Sequence, residues 1–128
     1  MVLGSGCFDG LHGGHARYLS ALKSLARADE AVNVAVAPDD YIDTHKHRKP
    51  RWSQDERFRT LLECGVVPLY QSSQSVAQLI LDEQPRLFVK GQDWAGKLPA
   101  DVVMACQEVG ALIVFVDTPG VHTSEAIG

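Results

Sequence analysis

Long apolar runs are missing from this sequence: none approaches the roughly twenty residues that a membrane-spanning helix needs, so no spanning segment is expected. Cysteine is scarce. Cys7, Cys64 and Cys106 are odd in number and widely spaced, with no CxxC pair. That pattern gives no zinc-ribbon reading and fits reduced thiols in a cytosolic protein. An excess of positive charge is also absent, since twelve Lys and Arg stand against sixteen Asp and Glu, for a net charge of −4. A general binder of nucleic acid or anionic membrane is therefore not expected, and any polyanionic ligand must be held by a local basic cluster. There is no internal repeat, low-complexity tract or linker, and the start runs straight into a strand pattern with no signal peptide. A single cytoplasmic domain over residues 1–128 is the expectation.

What is present is a regular alternation of short β-rich runs and helical patterns. Met1-Val2-Leu3 reads as a short buried strand, followed by a Gly-rich turn and a helical pattern from Ala16 to Ala28. Residues 31–37 form a continuous apolar run of strand length that Pro38-Asp39-Asp40 ends, and a polar, basic loop is expected from Thr44 to Arg51. Ser53 followed by Glu56 is a capping box for the helix carrying Phe58, Leu61 and Leu62. Gly65 ends that helix, and further strands are expected over Val66–Tyr70, Leu87–Val89 and Ala111–Val116. Helices are expected over Ser75–Glu83 and, with Pro99 in the first turn, to about Val109. Buried strands separated by helices predict an α/β, Rossmann-like, doubly wound five-stranded parallel sheet with helices on both faces. Ligands of such sheets sit beyond the carboxyl ends of the strands, where strand order reverses. The unusual residues fall at those ends: His12 and His15 after the first strand, the basic loop after the second, Gly91–Lys97 after the fourth, Thr123-Ser124 after the fifth.

The first fifteen residues carry the most specific signal. A glycine-rich strand-to-helix turn leaves N–H groups bare and aims a helix N-terminus at the space above, which favours an anion such as phosphate. His12 and His15, three apart, can share one face of the first helical turn. Alone they also read as solvated histidines or half of a metal site, with His45, His47 and His122 as further ligands at spacings that match no metal motif. Cys7-Phe8-Asp9 followed by His12-Gly13-Gly14-His15, however, resembles the (T/C)FDxxHxGH signature of the cytidylyltransferase-like nucleotidyltransferases. That family includes glycerol-3-phosphate and choline-phosphate cytidylyltransferases and heptose-phosphate adenylyltransferases.

The resemblance implies a site. His12 and His15 would bond the α-phosphate of a nucleoside triphosphate, with Lys46 as a third catalytic group and Lys46 and Arg48 meeting the phosphates of acceptor and nucleotide. Gly6, Cys7, Phe8, Asp9 and Gly14 would shape the nucleotide cradle, with Asp9 a turn former first and Cys7 a packing residue. Arg57 would point inward to a phosphate; read by itself it is a surface Arg paired with Asp55 or Glu56. Gly91-Gln92-Asp93-Trp94-Ala95-Gly96-Lys97 is similar to the GDDWEGK of the glycerol-3-phosphate enzymes, and Val89-Lys90-Gly91 to the VKG of the heptose-phosphate enzymes. Gly91, Asp93 and Trp94 would then flank base and ribose. Gly120 to Glu125 resembles the G-I-S-T-S/T segment, in which Thr123 and Ser124 would hold the outer phosphates; either is also a plain helix cap. Mg²⁺ accompanying the nucleotide and a homodimer are further implications. The longer match at 91–97 favours CTP and a glycerol-phosphate-like acceptor; ATP and a heptose-phosphate-like acceptor are the alternative.

Three departures from the family pattern stand out: Asp117 replaces an Arg, His122 replaces the first Ser of the hydroxyl segment, and the sequence ends at Gly128, about one turn into the last expected helix. Asp117 and the early end of the sequence motivate a reading of another class, a nucleotide-binding module without turnover. A flavodoxin-like electron carrier shares the layer architecture and leaves the paired histidines and the basic run unexplained.

Overall fold

The computed structural model describes residues 1–10 and 13–117. In chain order the elements are β1 (Val2–Gly6), α1 (Gly13–Leu25), β2 (Val32–Val36), α2 (Asp39–Lys46), α3 (Gln54–Glu63), β3 (Val67–Tyr70), α4 (Ala77–Glu83), β4 (Leu87–Gly91), a 3-10 turn over Gln92–Trp94, α5 (Ala100–Val109) and β5 (Leu112–Val116). The five strands are parallel and ordered β3-β2-β1-β4-β5. This is the Rossmann-like doubly wound sheet that the alternating pattern predicts. The chain winds outward from β1 in one direction and then returns to β4 on its other side, so the order reverses between β1 and β4.

Because strand side chains alternate between faces, each strand feeds two cores. On one face Val2, Val34, Val36, Leu87 and Val89 pack against Tyr18, Leu19 and Leu22 of α1 and Leu61 of α3. On the other, Leu3, Ala35 and Phe88 meet Ile80 of α4 and Val102, Ala105 and Cys106 of α5. Burial on both sides is why the strands read as unbroken apolar runs. At the amino-terminal edge Arg86 grips Glu30 with two bonds of 2.7 and 2.8 Å, tying the start of β4 to the loop before β2.

The Ser53–Glu56 capping box forms in both directions, at 3.2 and 3.1 Å. The stretch after β2 departs from expectation: it forms the helix α2, which runs through Lys46 where a loop is expected from Thr44. Pro38 supplies its N-cap, Asp39 and Asp40 sit in the first turn, and His45 and Lys46 sit in the last, each favourable to the helix dipole. Only Ile42 in α2 is buried, so the apolar periodicity that announces the other helices is absent. His47, in the left-handed region at φ 54°, ends it. The strand expected over 87–89 also continues to Gly91. The helix expected around Thr123-Ser124 lies outside the described residues.

At the carboxyl end the two central strands part. The β1–β4 register stops at Gly4↔Val89, while β4 stays paired with β5 through Gly91↔Val116. The Tyr18 side chain enters the gap: its hydroxyl accepts from the Ser5 N–H at 3.1 Å and donates to the Val89 carbonyl. Gly4 makes room for it, since a Cβ there would lie 2.7 Å from the Tyr18 hydroxyl and 2.8 Å from Leu22 Cδ1. Tyr18 is held by both bonds and cannot swing aside. Gly4→Ala should therefore destabilise the fold by roughly 1–3 kcal/mol, the usual cost of overpacking, read as a lower urea midpoint at unchanged slope.

Candidate active site

The parting of β1 and β4 is the floor of the site. Beyond Gly6 the chain turns through Phe8, whose φ of 56° is strained for a bulky aromatic residue. Packing holds it there: Phe8 is buried, with its ring centroid 5.3 Å from the His15 ring and 6.1 Å from Tyr18. His15 is itself buried in the first turn of α1, facing this turn. Gly14 is in the same turn, and His12 lies outside the described residues.

Asp9 organises the basic segment. Its carboxylate accepts from the Arg51 and Trp52 backbone N–H groups, both at 2.8 Å, and from the Arg48 guanidinium at 2.6 Å. Burial alone would raise its pKa; Arg48 and the two N–H groups outweigh burial and hold the carboxyl below its ordinary value. Arg48, expected at a phosphate, thus has one nitrogen on Asp9. Arg57 points inward and is fully buried, but its nitrogens grip the protein: the carbonyls of Cys7 at 2.8 Å and Trp52 at 3.2 Å, and Asp39 at 2.7 Å. It is not the surface partner of Asp55 or Glu56. Cys7 is buried and its thiol pKa is raised, mainly by burial, so it stays protonated at neutral pH.

Sequence reasoning passed over Lys90 as a site residue. It is 5% exposed, with its ammonium 3.2 Å from the Ser5 carbonyl, 3.3 Å from the Ser5 hydroxyl and 4.7 Å from the centroid of the Trp94 ring. Burial lowers its pKa to about 8; Cys7 and Asp93 oppose that shift, and the Lys46 charge adds to it. Lys46, in the last turn of α2, and Lys90, at the end of β4, thus raise positive potential in the same region. The signal in the sequence was a lysine closing an otherwise apolar strand run.

Lys90 and Trp94 line a cavity of about 370 Å³ that runs from Ser5 and Gly6, past Tyr41 and His45 of α2, to Ser75 and the start of α5. That lies within the usual range of about 300–1,000 Å³ for small-ligand pockets. The Trp94 indole N–H is enclosed with no hydrogen-bond partner among the described residues. Gly91 is buried at the end of β4, Asp93 is exposed in the following turn, and Thr123 and Ser124 lie outside the described residues.

Residues 3–127 match the model of the cytidylyltransferase-like family. The chain belongs to that family of nucleotidyltransferases. It is 34% identical over 99 residues to the bifunctional protein HldE of Coxiella burnetii, covering 73% of this chain and 20% of that protein. It is 30% identical to HldE of Psychromonas ingrahamii, across 99% of this chain and 27% of that protein. The chain thus spans about a quarter or less of the length of these relatives. The fold is similar to that of the lipopolysaccharide core biosynthesis protein of Thermoplasma volcanium, with a TM-score of 0.72, 22% identity, and 94% of this chain and 97% of that one covered.

Among the described residues no group of three His, Cys, Asp or Glu side chains could hold a metal ion. A Mg²⁺ arriving with a nucleotide needs no such cage, because phosphate oxygens and water are its usual ligands.

Two outcomes follow for variants. Asp9→Ala should cost roughly 1–3 kcal/mol by leaving its N–H partners unpaired. Because the native carboxyl titrates below its ordinary value, the stability it adds is present above about pH 4 and lost as pH falls through its own lower pKa; urea melts at pH 7 and pH 3 should show the variant's deficit shrinking. Lys90 gives the same direction at higher pH, because its native pKa is also lowered. Between pH about 8 and 10.5 the unfolded chain holds a proton that the native chain has shed. Native stability relative to Lys90→Met should then rise across that window, and a flat difference would contradict the burial reading.

Proposed function

We propose that the chain catalyses nucleotidyl transfer from a nucleoside triphosphate to a small phosphorylated acceptor, releasing pyrophosphate. The observation that carries this reading is the convergence, where β1 and β4 separate, of the turn leading to His15, the buried Lys90 and a pocket of small-ligand size. The turn and the start of α1 suit a nucleotide phosphate; the pocket beside them suits the acceptor.

An oxygen of the acceptor phosphate attacks the α-phosphorus in line. A new P–O–P link forms as the bond to the β-phosphate breaks, and pyrophosphate carries away the electron pair. An ionised phosphate needs no general base, so the protein supplies position and charge. His15 and His12 bond the α-phosphate, while Lys46 and Lys90 draw the acceptor phosphate to the mouth of the sheet. An anion between two cations that raise each other's energy relieves both. Thr123 and Ser124 hold the leaving pyrophosphate. Asp9 and Arg57 hold the cradle, and Arg48 adds charge at its edge. Mg²⁺ bound to the triphosphate supplies further charge neutralisation.

On substrate, the relatives shift the balance. Bifunctional HldE proteins are among the relatives, a solved structure of similar fold is a lipopolysaccharide core biosynthesis protein, and Val89-Lys90-Gly91 resembles the VKG of the heptose-phosphate adenylyltransferases. We therefore favour ATP and a sugar-phosphate acceptor over the CTP and glycerol phosphate that the 91–97 string implies.

A thermal-shift titration with Mg²⁺ and ATP, CTP, GTP or UTP tests the nucleotide. ATP near a hundred times its dissociation constant should stabilise the chain by about 2.7 kcal/mol, and stabilisation by CTP alone would reverse the preference. His15→Ala should lower turnover about 10²–10³-fold, the scale of one preorganised donor. Activity within a few-fold of the parent, with the fold intact, would remove that role.

A further inference from the structure

The acceptor pocket is electrically polar along its length. Its buried end holds the Lys90 ammonium, and its rim holds an acid, Asp101, in the first turn of α5. The other titratable groups on the lining are His45 and Tyr41; their rings stack with centroids 4.2 Å apart, and His45 Nδ1 lies 3.2 Å from the Tyr41 carbonyl. Asp101 is positioned: its Oδ2 accepts from the Ser75 hydroxyl at 2.6 Å, and the Ser75 oxygen in turn accepts from the Ala77 N–H at 3.1 Å. The one proton of Ser75 is committed to the carboxylate, so this pair offers a ligand only acceptor lone pairs. The N-terminus of α5 would otherwise favour an anion, but a protein carboxylate already occupies its first turn. Between the two ends lie apolar walls, including Phe88, Val76 and Val102.

We propose that this pocket selects acceptors with a single phosphate, seated at the Lys90 end, and a neutral hydroxylated end beneath Asp101 and Ser75, and that Asp101 is the residue that rejects a second phosphate. The proposal rests on the acceptor-site reading above and adds the class of acceptor. Hydroxyl groups donate to the Asp101–Ser75 pair; a second phosphate there meets the like charge of Asp101. Discrimination then comes from a repulsive element as well as an attractive one.

The test is direct binding without nucleotide, by isothermal titration calorimetry at pH 7.5 and fixed ionic strength, using glucose 1-phosphate and glucose 1,6-bisphosphate as probes. The parent should bind the monophosphate about tenfold or more tightly than the bisphosphate. Asp101→Asn, which keeps an acceptor for the Ser75 hydroxyl, should bring the two toward parity, while Ser75→Ala, which keeps the carboxylate, should retain the preference. Lys90→Gln should weaken both probes. Equal binding by the parent, an unchanged ratio in Asp101→Asn, or no binding of either probe overturns the proposal. Pyrophosphate release from ATP is followed in parallel. Equal turnover of both probes would overturn the selection and leave the transferase standing; a monophosphate preference in binding, with no pyrophosphate from any triphosphate, would keep the selection and remove the transferase.

Discussion

The site depends on the backbone of one residue, Ser5. In a continuous parallel sheet the ladder to β4 would satisfy its N–H and carbonyl. Here the ladder ends one residue earlier, at Gly4↔Val89, and two side chains take its place: the Tyr18 hydroxyl on the N–H and the Lys90 ammonium on the carbonyl. Buried backbone groups are rarely left unpaired, because the desolvation cost is not recovered. The sheet can open at this point only because Tyr18 and Lys90 stand in for a strand. Opening it there makes the crevice, and filling the gap with a lysine puts a cation at its base. Structure and charge have a common origin in one missing rung.

The second constraint is electrostatic. A −4 chain that is to handle polyanions must concentrate positive charge, and like charges brought together repel. The basic segment resolves this by spending part of its charge on architecture. Asp9 gathers Arg48 and the backbone of Arg51 and Trp52, while Asp39 and two carbonyls hold Arg57. The bonds clamp the strained turn at Phe8 between α1 and the 47–52 segment. The depressed pKa of Lys90 shows the remaining tension, with burial the larger cause and Lys46 a contributor. Such perturbed groups cluster at functional sites because a ligand of opposite charge relieves what the protein alone leaves costly.

The sheet, its helical layers and the Ser53 capping box were legible because they rest on local patterns: apolar runs, helical spacing, and cap chemistry three residues apart. The family was legible where a motif lies along the chain, as at Cys7–His15. A residue's role was not legible where it depends on contacts distant in sequence. Nothing within a few residues of Arg57 says that its partners are Cys7, Trp52 and Asp39, so a phosphate contact and a surface ion pair were both natural readings. Lys90 was noticed only as part of the Val89-Lys90-Gly91 match and given no role, because its burial depends on β1 parting from β4, a property of pairing across 85 positions of sequence. Helix α2 was missed because one buried residue, Ile42, leaves no period to find.

These constraints also bear on which chemistry suits the site. A covalent route through Cys7 would need a thiolate, and the buried thiol is held protonated by its surroundings. A phosphate nucleophile arrives already ionised, so what the reaction lacks in water is proximity and a field to offset charge between two anions. A buried lysine at the end of an apolar strand, beside a pocket of limited volume and within reach of the Lys46 charge, would supply both without moving a proton. The same arrangement penalises excess negative charge elsewhere in the pocket when its rim carries a carboxylate. Attraction at one end and repulsion at the other fix the direction in which an acceptor enters, and direction is what an in-line displacement requires.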